Sequence, residues 1–292
     1  MPATALRAFI LALFISLFVL GCTKKENVFV PDNEAPPDTS VSTLKLEAYI
    51  NKCYISLLGR EPNGTELSTA VQTLRDSSLN SGSRKLILDG ILNQDEFLIK
   101  TYLNDGALLL NTWDTALYSF YLGQVQSLRQ DPNNVANYAI YDTVISGLEK
   151  LLAIPVDLLN GTIDISTMHN RMVNNFVYDE INMGSENYVR SVFDHFLLRY
   201  PTTSELTEGI KMVDGFESVI FLNSGESKFD FNNIFFNTDA YYEGQVRWAF
   251  NRFLYREAST QELAYYTSLY RQTGNQKIFF RALLSTNEYA GF

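Results

Sequence analysis

One phrase is written three times in this chain, as "LLGREPNGTEL" at 57–67, "LLRYPTTSEL" at 197–206 and "LYREASTQEL" at 254–263. Apolar residues lead into each copy at the spacing i, i+3, i+4, i+7, i+8. They are Ile50, Cys53, Tyr54, Leu57 and Leu58, then Val189, Val192, Phe193, Phe196 and Leu197, then Val246, Ala249, Phe250, Phe253 and Leu254. That spacing puts each set on one side of a helix and predicts one buried face per copy. An arginine follows each set, at Arg60, Arg199 and Arg256, where a cation favourably meets the carbonyl end of a helix macrodipole. Three residues later stands a good N-cap, Asn63, Thr202 or Ser259, and three beyond that Glu66, Glu205 or Glu262. This is the capping-box arrangement: the cap side chain accepts from the backbone N–H of the third helical residue, and the glutamate accepts from the cap's own N–H. The phrase therefore predicts helix, tight corner, helix, with these arginines and glutamates in a structural role. Pro62 and Pro201 stiffen two of the corners, Ala258 stands in the third, and only Gly59 in the first copy offers a ready helix terminator.

Each unit also closes alike, with "LNQDEF" at 92–97, "FNTDAY" at 236–241 and "LSTNEY" at 284–289. Asn93, Asn237 and Ser285 read as caps of a further short helix, and Phe97, Tyr241 and Tyr289 as aromatics that plug back into the core. Between the first two copies, 105–185 carries its own helical periods. Leu108, Leu109, Thr112, Trp113, Ala116, Leu117, Phe120 and Tyr121 share one face. Val144, Ile145, Leu148, Leu151 and Leu152 form another, which Pro155 interrupts, and a third segment runs over 166–181. The expected fold is all-α: a multi-helix bundle of three helix-corner-helix repeats, 44–104, 186–243 and 244–292, plus a helical insert at 105–185. The pattern "LLGREP…EL…QDEF" resembles the all-helical domain-of-unknown-function repeat of bacterial surface and S-layer proteins. It is similar to helical modules that accompany planctomycete-type cytochrome c proteins and to phycobilisome linker domains. The resemblance covers about 48–104 and 186–292, and implies adhesion, scaffolding or assembly at the envelope. No C-x-x-C-H haem attachment motif occurs in the chain.

The first 22 residues read as a targeting segment, with Arg7 as a basic start and an apolar run from Ala8 to Leu20 that is short for a membrane span. The run ends in Val19, Leu20, Gly21 and Cys22, which resembles the lipobox of bacterial lipoproteins. The resemblance implies cleavage before Cys22, lipidation of that residue and attachment to a membrane, with Thr23 leaning toward the outer membrane of a diderm envelope. Acyl chains contribute about 0.8 kcal/mol per buried CH₂, enough when several are present to hold a soluble body at a membrane. Residues 23–43, polar and proline-bearing, read as a flexible tether.

A formal net charge of −10 without a basic patch argues against nucleic-acid binding. Neither a phosphate-cradling glycine motif nor an H-E-x-x-H, EF-hand or paired C-x-x-C pattern is present, so no metal and no cofactor are expected. Cys53 sits on an apolar stripe, where a thiol behaves as a small hydrophobe, and His169 and His195 have no recognisable spacing to it. His195 reads as a structural or surface histidine. Asp95 with Glu96 and Asp179 with Glu180 are sequence neighbours, which point about 100 degrees apart on a helix and suit caps or solvated faces better than a shared substrate. No catalytic residues are expected. Tyr178, Tyr241, Tyr242 and Trp248, in tyrosine-rich stretches, are the candidates for a recognition surface. The expected function is a lipid-anchored, non-catalytic interaction scaffold for an envelope protein partner. The alternative is a surface lipoprotein that holds polysaccharide on exposed aromatics. More remote is an envelope hydrolase accessory, which would need two carboxylates facing across a cleft.

Overall fold

The computed structural model describes residues 40–111 and 113–292. The leader, Cys22, Thr112 and most of the 23–43 tether lie outside the described residues. The first corner is formed by α1 (Thr43–Leu58) and α2 (Gly64–Asp76), followed by α3 (Ser81–Leu92) and α4 (Asp95–Leu109). A long pair comes next, α5 (Thr115–Gln130) and α6 (Tyr138–Leu159), joined by a 3₁₀ turn over Pro132–Asn137. Two short helices, α7 (Ile165–Val173) and α8 (Phe176–Ile181), lead to the second corner, α9 (Ser185–Leu197) and α10 (Thr203–Val213). After α11 (Lys228–Phe236), α12 (Asp239–Ala249) runs into a π-helical turn at Phe250–Leu254, and α13 (Thr260–Thr273) completes the third corner. The chain closes with α14 (Gln276–Leu284) and α15 (Asn287–Ala290). No helix among the described residues is long and apolar enough to cross a membrane.

The all-helical expectation holds apart from one small hairpin, β1 (Ser218–Ile220) and β2 (Asn223–Gly225), paired antiparallel with Val219 opposite Ser224. Its two turn residues, Phe221 and Leu222, have φ of 48° and 64°. Two positive φ values favour Asn-Gly or Asp-Gly, so this turn carries none of the usual sequence signal.

All fifteen apolar positions of the three predicted faces point inward except Leu254, which is half-buried. The boundaries between units differ from expectation. α4 runs through 104/105 and α12 runs through 243/244, so the insert begins inside a helix and one helix serves both the second and third units. The closing caps also sit one residue later than predicted. Thr238 and Thr286 accept from the N–H of Tyr241 and Tyr289, whereas Asn93, Asn237 and Ser285 end the preceding helices. The single face predicted for 108–121 is divided between α4 and α5, where Asp114 caps the new helix and turns Tyr118 rather than Phe120 inward. Pro155 does not interrupt α6. The helix continues to Leu159 because Leu148, Leu151, Ile154 and Leu158 are buried along one side, and this tertiary packing outweighs the hydrogen bond that proline removes.

The described residues belong to one compact unit in which the first described helices meet the last. α14 lies on α3; the Tyr49 hydroxyl donates to the carbonyl of Leu284 at 3.3 Å, and Arg84 donates to the carbonyl of Ser285 at 2.7 Å. Arg84 is buried, and its remaining donors reach the Leu79 carbonyl and Asn287 Oδ1. α9 packs on α12 at Gly244, where a Cβ would stand 2.0 Å from the Phe196 carbonyl oxygen, so only glycine permits this approach.

Candidate functional site

The three arginine–glutamate pairs form joints. In each, the cap and the glutamate make the full capping box, on Asn63 with Glu66, Thr202 with Glu205, and Ser259 with Glu262. The arginine does not serve the preceding helix's carbonyls as the macrodipole argument predicts. Its two terminal nitrogens grip the glutamate bidentately, at 2.9 and 3.0 Å for Arg60, 2.8 and 2.7 Å for Arg199, and 2.9 and 2.6 Å for Arg256. The planar fork matches the carboxylate, and the glutamate is thereby tied to both helices at once. Hydrogen bonds from Arg256 hold Glu262 down at about 2, and the same cause lowers Glu66 and Glu205. Glu96 and Glu288 then close over the Nε edge of Arg60 and Arg256, at 2.9 and 2.6 Å. The second joint has Ala240 at this place, and a 540 Å³ hollow lined by Arg199, Ala240, Glu243 and Gly244 opens beside it.

Three of the four aromatics expected on a recognition surface are buried in the core. Tyr178 and Tyr241 are fully buried, Tyr242 is nearly so, and Trp248 is half-buried. Composition alone does not fix which side of a helix a ring takes, and these three tyrosines lie on the core side. There Tyr178 meets Tyr188 edge-on and Tyr241 packs on Phe236. Burial drives both phenols well above their ordinary range, so they remain neutral hydrogen-bonding groups. Cys53 is buried and its thiol is pushed up to about 12, which makes it inert as a nucleophile.

Trp248 instead borders a cavity of 310 Å³ that sequence reasoning missed. α4 supplies one wall through Phe97, Thr101, Asn104, Asp105 and Leu108, and α12 with its π turn supplies the opposite wall through Gln245, Trp248 and Arg252. Both sets recur at helical spacing, and a π turn re-aims the residues that follow it. Gln276 and Phe280 of α14 close one side. Both histidines of the chain reach this cavity. His169 is buried and held on both ring nitrogens, with Nδ1 2.7 Å from the Tyr241 hydroxyl and Nε2 2.9 Å from Asp105 Oδ2. In the neutral form, Nε2–H donates to the carboxylate and the Tyr241 hydroxyl donates to Nδ1. His195 accepts through Nδ1 from the Tyr178 hydroxyl at 2.9 Å, and burial holds its pKa below the ordinary imidazole value. In the tautomer in which the Tyr178 hydroxyl donates to Nδ1, Nε2–H is left as a donor. Asp105 is the one carboxylate among the described residues that line this cavity. No cluster of three or more His, Cys, Asp or Glu among the described residues could hold a metal ion.

A second unusual surface is the outer part of the α5–α6 pair. From Ser119 to Gly147 no residue is buried, although the segment contains Phe120, Leu122, Val125, Leu128, Ile140 and Val144. Phe120 and Ile140 are 58% and 61% exposed. The pair packs chiefly on itself and joins the body through its base, where α6 meets α4 and α7. Comparison with protein-family models, curated proteins and solved structures finds no match to this chain.

Proposed function

We propose that this is a lipid-anchored protein of the bacterial cell envelope, held at the outer membrane through Cys22, that serves as a non-catalytic helical scaffold for a partner protein. The observation that carries this reading is the α5–α6 arm, an apolar two-helix projection without a buried residue between Ser119 and Gly147. Large apolar side chains grouped on a monomer surface mark interaction sites, since each costs free energy while it faces water. Charge is sparse there: Arg129 and Asp142, which pair with each other, and Asp131 are the ionised groups of this segment. A partner that presents an apolar helical face would complete the arm by ridges-into-grooves packing, as a third helix completes a bundle.

The test is affinity capture of the tagged full chain from detergent-extracted membranes, comparing the native protein with a Phe120→Asp, Ile140→Asp double variant. Both residues are exposed, so the variant should melt within about 1 kcal/mol of the native stability and lose its captured partner. Capture of the same proteins by both forms would sink the proposal.

A further inference from the structure

We infer that the cavity between α4 and α12 is a binding site for a neutral sugar in the pyranose form, either free or as the end of a glycan. Its volume of 310 Å³ lies at the lower end of the roughly 300–1,000 Å³ of small-molecule sites. A pyranose has an apolar C–H face and a rim of hydroxyls, each both donor and acceptor. The cavity answers both needs. The half-buried Trp248 offers aromatic surface against which the apolar face can lie, while Asn104, Gln245 and Gln276 offer amides that donate and accept at once. Charge is balanced, with Asp105 on one wall and Arg252 on the other, which favours an uncharged guest.

A separate observation concerns Gln276, one of the lining residues. Gln276 is only 6% exposed, and its Oε1 has no hydrogen-bond partner among the described residues. A buried amide oxygen without a partner is unfavourable, because it has given up its hydrogen bonds to water. The terminal amide torsion of glutamine is soft, so a small rotation brings this group to a ligand hydroxyl without disturbing the helix. Among the described residues His195 hydrogen-bonds through Nδ1 to Tyr178, which orients the ring and leaves Nε2 for a guest. The inference does not depend on the α5–α6 arm, and its failure would leave the docking proposal standing.

The experiment is isothermal titration of the detergent-solubilised full chain with neutral hexoses and N-acetylhexosamines, in parallel with a glycan array ending in the same sugars. Binding of the monosaccharide as tightly as the glycan identifies a free sugar, and binding on the array alone identifies a glycan terminus. Gln276→Leu removes the unpartnered oxygen at similar volume, so it should preserve or raise the melting temperature while weakening binding roughly tenfold, the loss of one buried hydrogen bond. Trp248→Leu should weaken binding by a similar factor. No binding in either arm, or native affinity in the Gln276→Leu protein, would overturn the inference.

Discussion

At the scale of the residue, the three joints solve one backbone problem with three different side chains. Gly59, Leu198 and Tyr255 occupy the same place just before the arginine, and all three adopt the left-handed conformation, with φ of 75°, 53° and 56°. Glycine does so freely, whereas a residue with a Cβ is strained by about 1–2 kcal/mol. Tyr255 is 83% exposed and so has little packing to lose. Tyr255→Gly should therefore raise stability by about 0.5 kcal/mol once glycine's larger unfolded entropy is offset, measured by urea unfolding. A lower midpoint would show that the ring contributes more than its exposure suggests. The arginine, cap and glutamate of each joint were legible in the sequence because they act within a few residues of one another. The missing glycines were not read as left-handed positions, because Leu and Tyr rarely adopt that conformation. The aromatics of α8 and α12 failed for a related reason: composition says that a ring will be useful, but not whether the helix turns it toward water or toward Phe236.

Among elements, the decisive difference between the joints is the second carboxylate. Glu96 and Glu288 reach back from α4 and α15, while α12 offers Ala240 beside a hollow. Ala240→Glu should let the second joint copy the other two and raise stability by about 0.5 kcal/mol at low salt, the value of a modestly exposed ion pair. The gain should shrink at 1 M salt, where screening is nearly complete over a few ångströms. A gain unchanged by salt would point to packing rather than charge. Element existence was readable wherever periodicity and caps agreed. Pro155 misled because the local rule for proline was applied without the packing that overrides it, and the β hairpin was invisible because its turn positions hold Phe221 and Leu222.

For the whole molecule, the three joints make stability a function of pH in a definite direction. Glu66, Glu205 and Glu262 all have folded pKa values below their ordinary value, with Arg60, Arg199 and Arg256 as the first cause. A depressed carboxylate contributes stability that is fully present above its unfolded pKa and is lost as pH falls toward the folded one. Melting temperature should thus decline from about pH 5 toward about pH 2, and the Glu66→Gln, Glu205→Gln, Glu262→Gln protein should show a shallower decline from a lower plateau. Parallel curves would exclude the joints as the source. The cavity and the arm were beyond reach of the sequence, since the first joins α1, α4, α7, α9, α12 and α14, and the second is defined by what does not cover it. The meeting of the first described helices with the last has a kinetic consequence. Tyr49 and Lys52 find their carbonyl acceptors 235 and 237 residues downstream, and Arg84 finds its own 201 residues on. During synthesis α1 therefore emerges long before the surface that completes it, and contacts of such separation form slowly. Nascent chains of this protein should stay unlocked until α14 has appeared, so the first helices wait on nearly the last.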